Sequence, residues 1–155
     1  MKAFFRSFRY AFRGLRACVR ERNFRFELAI FGYMIGFLTV YDWFQVSRAE
    51  WAVLLLAAAA VLAAEAFNTA VEAAVDLASP GRHPLAARAK DAAAGAVLLA
   101  ALGAIAAGVA VLGQPAAFRR MFHYYQQKPW MLAVLGLSGV LAGLFVFYPK
   151  KGRKQ

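Results

Sequence analysis

Between residues 4 and 20, phenylalanines and arginines alternate at helical spacing. At 100° per residue, Phe4, Phe5, Phe8, Ala11, Phe12, Leu15, Cys18 and Val19 share an arc of about 140°, with Cys18 as apolar filler. Arg6, Arg9, Arg13, Arg16 and Arg20 share another of about 80°, with Tyr10 just beyond it. The pattern predicts an amphipathic helix lying in the headgroup plane of a membrane. A soluble helix with its phenylalanines on a core is the competing reading. A secretory signal is not indicated, because the arginines run through the first 25 residues without an apolar run and a cleavage site.

Beyond this helix the pattern changes to long apolar stretches, which predict three or four spanning helices. The first covers 24–44 and ends in the aromatic belt of Tyr41, Trp43 and Phe44. The second covers 50–78 and is stopped by Ser79-Pro80-Gly81. The third starts at Pro84, a residue suited to a first helical turn, and reaches Leu112. Gly113-Gln114-Pro115 opens a polar and aromatic loop to Lys128, and 130–148 forms a fourth span of minimal length. Three segments follow: an interfacial helix over 1–23, a membrane core over 24–112, and a loop, fourth span and basic tail over 113–155. The alanine-rich stretches at 57–66 and 92–111 read as close-packing faces, and Gly32-x-x-x-Gly36 and Gly139-x-x-x-Gly143 as candidate helix contacts.

Composition supports this reading. The chain has 155 residues, 62% of them hydrophobic and 17% charged, against about a quarter charged in soluble domains. Mean hydropathy is +0.51. A net charge of +11 suggests nucleic acid in a polar protein, but here an anionic lipid surface is the fitting partner. One cysteine excludes an internal disulfide. With four spans and a cytoplasmic N-terminus, fifteen Lys and Arg fall inside and four outside, which predicts both termini in the cytoplasm.

The acids carry the chemistry. Glu27, Glu65, Glu72, Asp76 and Asp91 lie in or beside apolar helical segments, where ionisable groups mark function. Glu65, Asn68, Glu72 and Asp76 share one stripe about 80° wide on a single helix. Three carboxylates on one stripe repel each other, so a cation is expected to hold them. Glu65 lies about 21 Å along the helix from Trp51, still within the core, with Glu72 near the inner surface and Asp76 beyond. Arg88, Lys90 and Asp91 start the next helix at that level. Carboxylates beside a lysine suit Mg²⁺ and phosphate rather than zinc or copper. His83 and His123 have no metal-ligand spacing.

Two functions fit: an ion- or proton-coupled transporter, or an enzyme moving phosphoryl groups from a nucleotide to a membrane lipid. The acids crowd the inner half of the membrane, which favours the enzyme. Neither a P-loop nor a protein-kinase signature is present.

The run Glu65-Ala-Phe-Asn68-Thr-Ala-Val-Glu72-Ala-Ala-Val-Asp76, then His83-Pro-Leu-Ala-Ala-Arg-Ala-Lys90-Asp91, resembles the signature of the small prokaryotic lipid kinases, the diacylglycerol and undecaprenol kinases. Ser7-Phe-Arg-Tyr10-Ala-Phe-Arg-Gly14 and Glu21-Arg-Asn-Phe-Arg25 resemble the family's N-terminal helix. The resemblance covers about residues 4–112, leaving the fourth span outside it. It implies a homotrimer of three-span protomers in the bacterial cytoplasmic (inner) membrane, using ATP and Mg²⁺ and no nucleic acid. By the same resemblance, Glu21 and Glu72 are metal-binding carboxylates, Glu65 the general base, and Asn68 the group orienting the phosphoryl. Asp76, Arg82, His83, Lys90, Asp91 and, more weakly, Tyr10 correspond to nucleotide contacts. Glu21 enters on resemblance alone, because its neighbours mark it as an ordinary solvated charge; Glu27 gains no role beyond support. Pro84 after His83 resembles the undecaprenol branch, while the diacylglycerol branch has a His-Glu pair there. Undecaprenol is therefore the expected acceptor and diacylglycerol the alternative.

Overall fold

The computed structural model describes residues 2–148, with side chains from Phe4 onward. The basic residues expected in the tail, Lys150, Lys151, Arg153 and Lys154, lie outside the described residues. Six helices follow one another: α1 (Lys2–Cys18), α2 (Arg22–Val40), α3 (Arg48–Ala78), α4 (Pro84–Leu112), α5 (Pro115–Gln127) and α6 (Trp130–Phe147). No strand occurs among the described residues.

Local chemistry sets most of the boundaries. Ser47 and Glu50 form a reciprocal capping box at the start of α3: the Ser47 hydroxyl accepts from the Glu50 N–H, and the Glu50 carboxylate accepts from the Ser47 N–H at 2.7 Å. Before α4, Nδ1 of His83 accepts from the Leu85 N–H at 3.2 Å, and Pro84 fills the first turn, where no donor is missed. Gly113 ends α4 by donating its N–H to the Val109 carbonyl. A Cβ at Gly113 would lie 2.5 Å from that same oxygen, so no larger residue fits without shifting the backbone.

Helices α3 and α4 form an antiparallel pair with the most extensive interface in the chain. Their 31 and 29 residues correspond to about 46 and 43 Å, well beyond a core of about 30 Å. The hairpin is therefore longer than the hydrocarbon core is thick. Helix α2 packs against both α3 and α6, and α1 rests on α3. Leu54, Ala58 and Val61 form the buried stripe of α3, spaced four and three residues apart.

The distribution of polarity is inverted relative to a water-soluble bundle. Leu98, Leu99, Leu102, Ile105 and Val109 of α4 are exposed, whereas Arg25 and Glu65 are buried charged residues. Such a surface suits lipid or further protein rather than water. The phenylalanines of α1 are also exposed: Phe4, Phe5, Phe8 and Phe12 lie at 51–69%.

Three sequence expectations change. Among the described residues, three helices are long and apolar enough to cross a membrane, α3, α4 and α6. The expected first span is a shorter helix ending at Val40, with Arg22, Arg25 and Glu27 in its first two turns. The expected loop at 113–128 contains helix α5, which Pro115 opens and whose Tyr124 meets Tyr41 at the end of α2 edge-on. Finally, neither Gly-x-x-x-Gly pair makes a close helix contact within the chain: a Cβ at Gly32, Gly36, Gly139 or Gly143 would meet nothing within 4 Å.

Candidate active site

Glu65 faces inward from the middle of α3, and one turn later Asn68 and Thr69 follow it. The Thr69 hydroxyl donates to the Glu65 carbonyl at 3.0 Å, which occupies that hydroxyl within the helix backbone. Asn68 donates its amide to a Glu72 carboxylate oxygen at 3.1 Å. Its other end, Oδ1, is buried without a hydrogen-bond partner. An orphaned acceptor of this kind is costly in a finished core and calls for an explanation. Here it points to a donor or cation that arrives with a ligand.

The turn between α1 and α2 closes over this stripe. It brings Glu21, Arg22 and Asn23 against Glu65, Asn68, Thr69 and Glu72 around a cavity of about 320 Å³. Glu21 is the N-cap residue of α2 but makes no side-chain cap, so its carboxylate is available. Asn23 lines the cavity beside Glu65, together with Glu21 and Glu72. Glu65 is 5% exposed, while Glu72 is open to the outside. The arrangement thus grades from a buried carboxylate to an accessible one over two helical turns.

A second cavity, about 510 Å³, lies at the polar end of the α3–α4 hairpin. Asp76, Arg82, His83 and Lys90 line it, with Ser79 and Gly81 of the connecting turn. Lys90 and Asp76 form an ion pair at 2.5 Å across the two helices. Of the residues expected in the site, Glu21, Glu65, Asn68 and Glu72 meet in the first cavity, and Asp76, Arg82, His83 and Lys90 in the second. Tyr10 and Asp91 are exposed and line neither. Glu27 lines an apolar groove of about 410 Å³ between α2, α3 and α4.

Asn23 and Thr69 were not singled out from the sequence. Thr69 lies inside the Glu65–Glu72 run, and Asn23 is the polar residue two places after Glu21, so both were adjacent to a recognised signal.

A family model for prokaryotic diacylglycerol kinase matches residues 9–112, which include both cavities. The chain belongs to the prokaryotic diacylglycerol kinase family. Among characterised relatives, the undecaprenol kinase of Bacillus subtilis is 41% identical over 105 residues, covering 66% of this chain and 81% of that protein. The diacylglycerol kinase of Synechocystis sp. is 40% identical over 111 residues, covering 70% of this chain and 62% of that protein. No solved structure matches. This chain is a membrane-associated lipid kinase, which uses ATP and a lipid substrate and sets aside the transporter reading. Helices α5 and α6 lie beyond the family match.

Proposed function

We propose that this kinase transfers the γ-phosphoryl group of ATP to the hydroxyl of undecaprenol, giving undecaprenyl phosphate, at the cytoplasmic face of the bacterial inner membrane. The observation that carries the mechanism is the first cavity, where buried Glu65 adjoins Asn68, Glu72 and Glu21. The acceptor assignment rests on the greater coverage of the undecaprenol kinase relative and on the His83-Pro84 pair. Diacylglycerol, the substrate named for the second relative, is the alternative.

The donor set fits magnesium. Among the described residues no three His, Cys, Asp or Glu side chains converge as a closed cage. Mg²⁺ needs no such cage, because it keeps waters and uses one or two carboxylates together with substrate phosphates. Glu21 and Glu72 would hold it, and its charge would offset that of the ATP phosphates.

In the transfer, the lipid oxygen forms the new O–P bond while the bond from the γ-phosphorus to the ADP oxygen breaks. Glu65 takes the proton that the hydroxyl loses. Asn68, fixed by Glu72, orients the phosphoryl group. Asp76, Arg82, His83 and Lys90 hold the nucleotide beside the second cavity, with Asp91 and Tyr10 contributing in the assembled enzyme.

For topology, α2 is read as a fourth crossing despite its charges. Its partner α6 is apolar enough to span, and the two run side by side from Arg25–Val146 to Tyr33–Ser138, beyond which Tyr41 at the end of α2 meets Tyr124 of α5. Helix α2 thereby traverses the same thickness, leaving both termini in the cytoplasm. The exposed phenylalanines of α1 dip into the membrane surface beside its arginines. The small-residue faces of α3 and α4 pack against other copies in a homotrimer.

Purified protein incubated with MgATP and a panel of polyprenols and diacylglycerols should yield phosphorylated polyprenol by mass spectrometry. Preferential phosphorylation of diacylglycerol would reassign the acceptor. Mixing Glu72→Ala with Glu65→Gln protomers should restore activity if sites are shared in the trimer. An active monomer would remove the trimer.

A further inference from the structure

The buried guanidinium of Arg25 has no role in the chemistry above. It is 4% exposed, and its hydrogen-bond acceptors are backbone carbonyls. Nε and Nη2 both donate to the Val146 carbonyl, at 3.1 and 2.7 Å. Nη1 donates to the Arg20 carbonyl at 3.3 Å, and the Arg25 backbone N–H donates to the Glu21 carbonyl at 3.2 Å. The ion pair among the described residues is formed elsewhere, by Lys90 and Asp76.

Val146 lies in the last turn of α6, where carbonyls lack partners within the helix and carry partial negative charge. A cation forked onto that carbonyl satisfies both groups. The same side chain grips the turn preceding α2, one residue from Glu21, whose carboxylate lines the first cavity. The contact joins the part of the chain that matches the family to a helix that lies outside the match.

We propose that Arg25 is a positioning residue: it fastens the Glu21-bearing turn to the C-terminal end of α6, so that α6 holds one wall of the metal site in place. This rests on the reading of Glu21 as a metal-binding carboxylate. Release of the Val146 carbonyl would leave a buried cation without its main partner. The side chain would then leave the site, freeing the Arg20–Glu21 turn.

Two full-length variants test the link from opposite ends. Arg25→Gln removes the fork. Phe147→Pro drives the preceding residue, Val146, out of helical geometry and turns its carbonyl away; Phe147 is 68% exposed, so little packing is lost. Mn²⁺ binding, followed by loss of the free-ion paramagnetic resonance signal, should weaken about tenfold in each, as for loss of a supporting group at a metal site. Turnover at saturating metal should change less than about threefold, because the group acts on binding and not on the chemical step. The double variant should be no worse than either single one, and Arg25→Lys should recover part of the affinity. Without metal, amide exchange at 19–25 should accelerate in both single variants.

Unchanged Mn²⁺ affinity in both, or effects that add in the double variant, would overturn the proposal. If Arg25→Gln does not fold, Phe147→Pro alone decides it by the same two readouts. Glu21→Gln is the separate control: wild-type Mn²⁺ affinity there removes the metal reading of Glu21. Exchange at 19–25 in the Arg25 and Phe147 variants then still shows whether the clamp exists.

Discussion

Two carboxylates on α3, eleven residues and about 16 Å apart, sit in opposite environments. Glu65 is buried and lines a cavity with Asn23, Glu21 and Glu72. Asp76 is two-thirds exposed and paired directly with Lys90. A carboxylate already matched to a lysine offers a binding surface for a polar nucleotide. One buried beside a cavity is, in the proposed mechanism, the group that accepts a proton. In the proposed mechanism the helix would hold the donor at its exposed end and take up the hydroxyl proton at its buried middle.

The comparison is broken most severely at Glu65. Glu65→Gln keeps the shape but cannot accept the hydroxyl proton. Turnover should fall by about 10² or more, the usual contribution of a positioned general base. The ATP concentration for half-maximal rate should barely change. Near-normal turnover at saturating lipid would make Glu65 a positioning group only.

Glu72 lies between the extremes. Glu72→Gln leaves the hydrogen bond from Asn68 possible but removes a negative charge from the cavity mouth. The Mg²⁺ concentration for half-maximal activity should rise at least about tenfold, since loss of even a supporting group at a metal site costs that much. A change confined to turnover would place the metal elsewhere.

Much of this division was legible in the residues. Pro84 and Ser79-Pro80-Gly81 mark ends of the long hairpin by chemistry that acts within a few residues. The stripe from Glu65 to Asp76 follows from helix geometry once the segment is helical. Features that depend on distant packing were hidden. Arg25 is one of eight basic residues before Phe26, and its burial depends on a carbonyl 121 residues away. Glu21 looked solvated because its sequence neighbours are arginines; its spatial neighbours are acids. Helix α5 was read as a loop because its polar and aromatic residues do not suit the membrane interior. They suit edge-on packing against Trp43, whose carbonyl also accepts from Arg120.

The smallest effect on the fold belongs to the Asp76–Lys90 pair, and it sharpens the contrast with Glu65. The pair is short, but both side chains are more than a third exposed, so water screens the attraction and the ordering of a long lysine offsets part of the rest. Asp76→Asn should therefore change stability by no more than about 1 kcal/mol, read as a small shift in thermal unfolding in detergent. Its main consequence should be functional: the ATP concentration for half-maximal rate should rise while turnover at saturating ATP stays near that of the parent, the pattern of lost uniform binding. A large loss of stability with unchanged ATP dependence would instead make this pair a structural clasp of the hairpin, and the nucleotide contacts would have to lie with Arg82, His83 and Asp91.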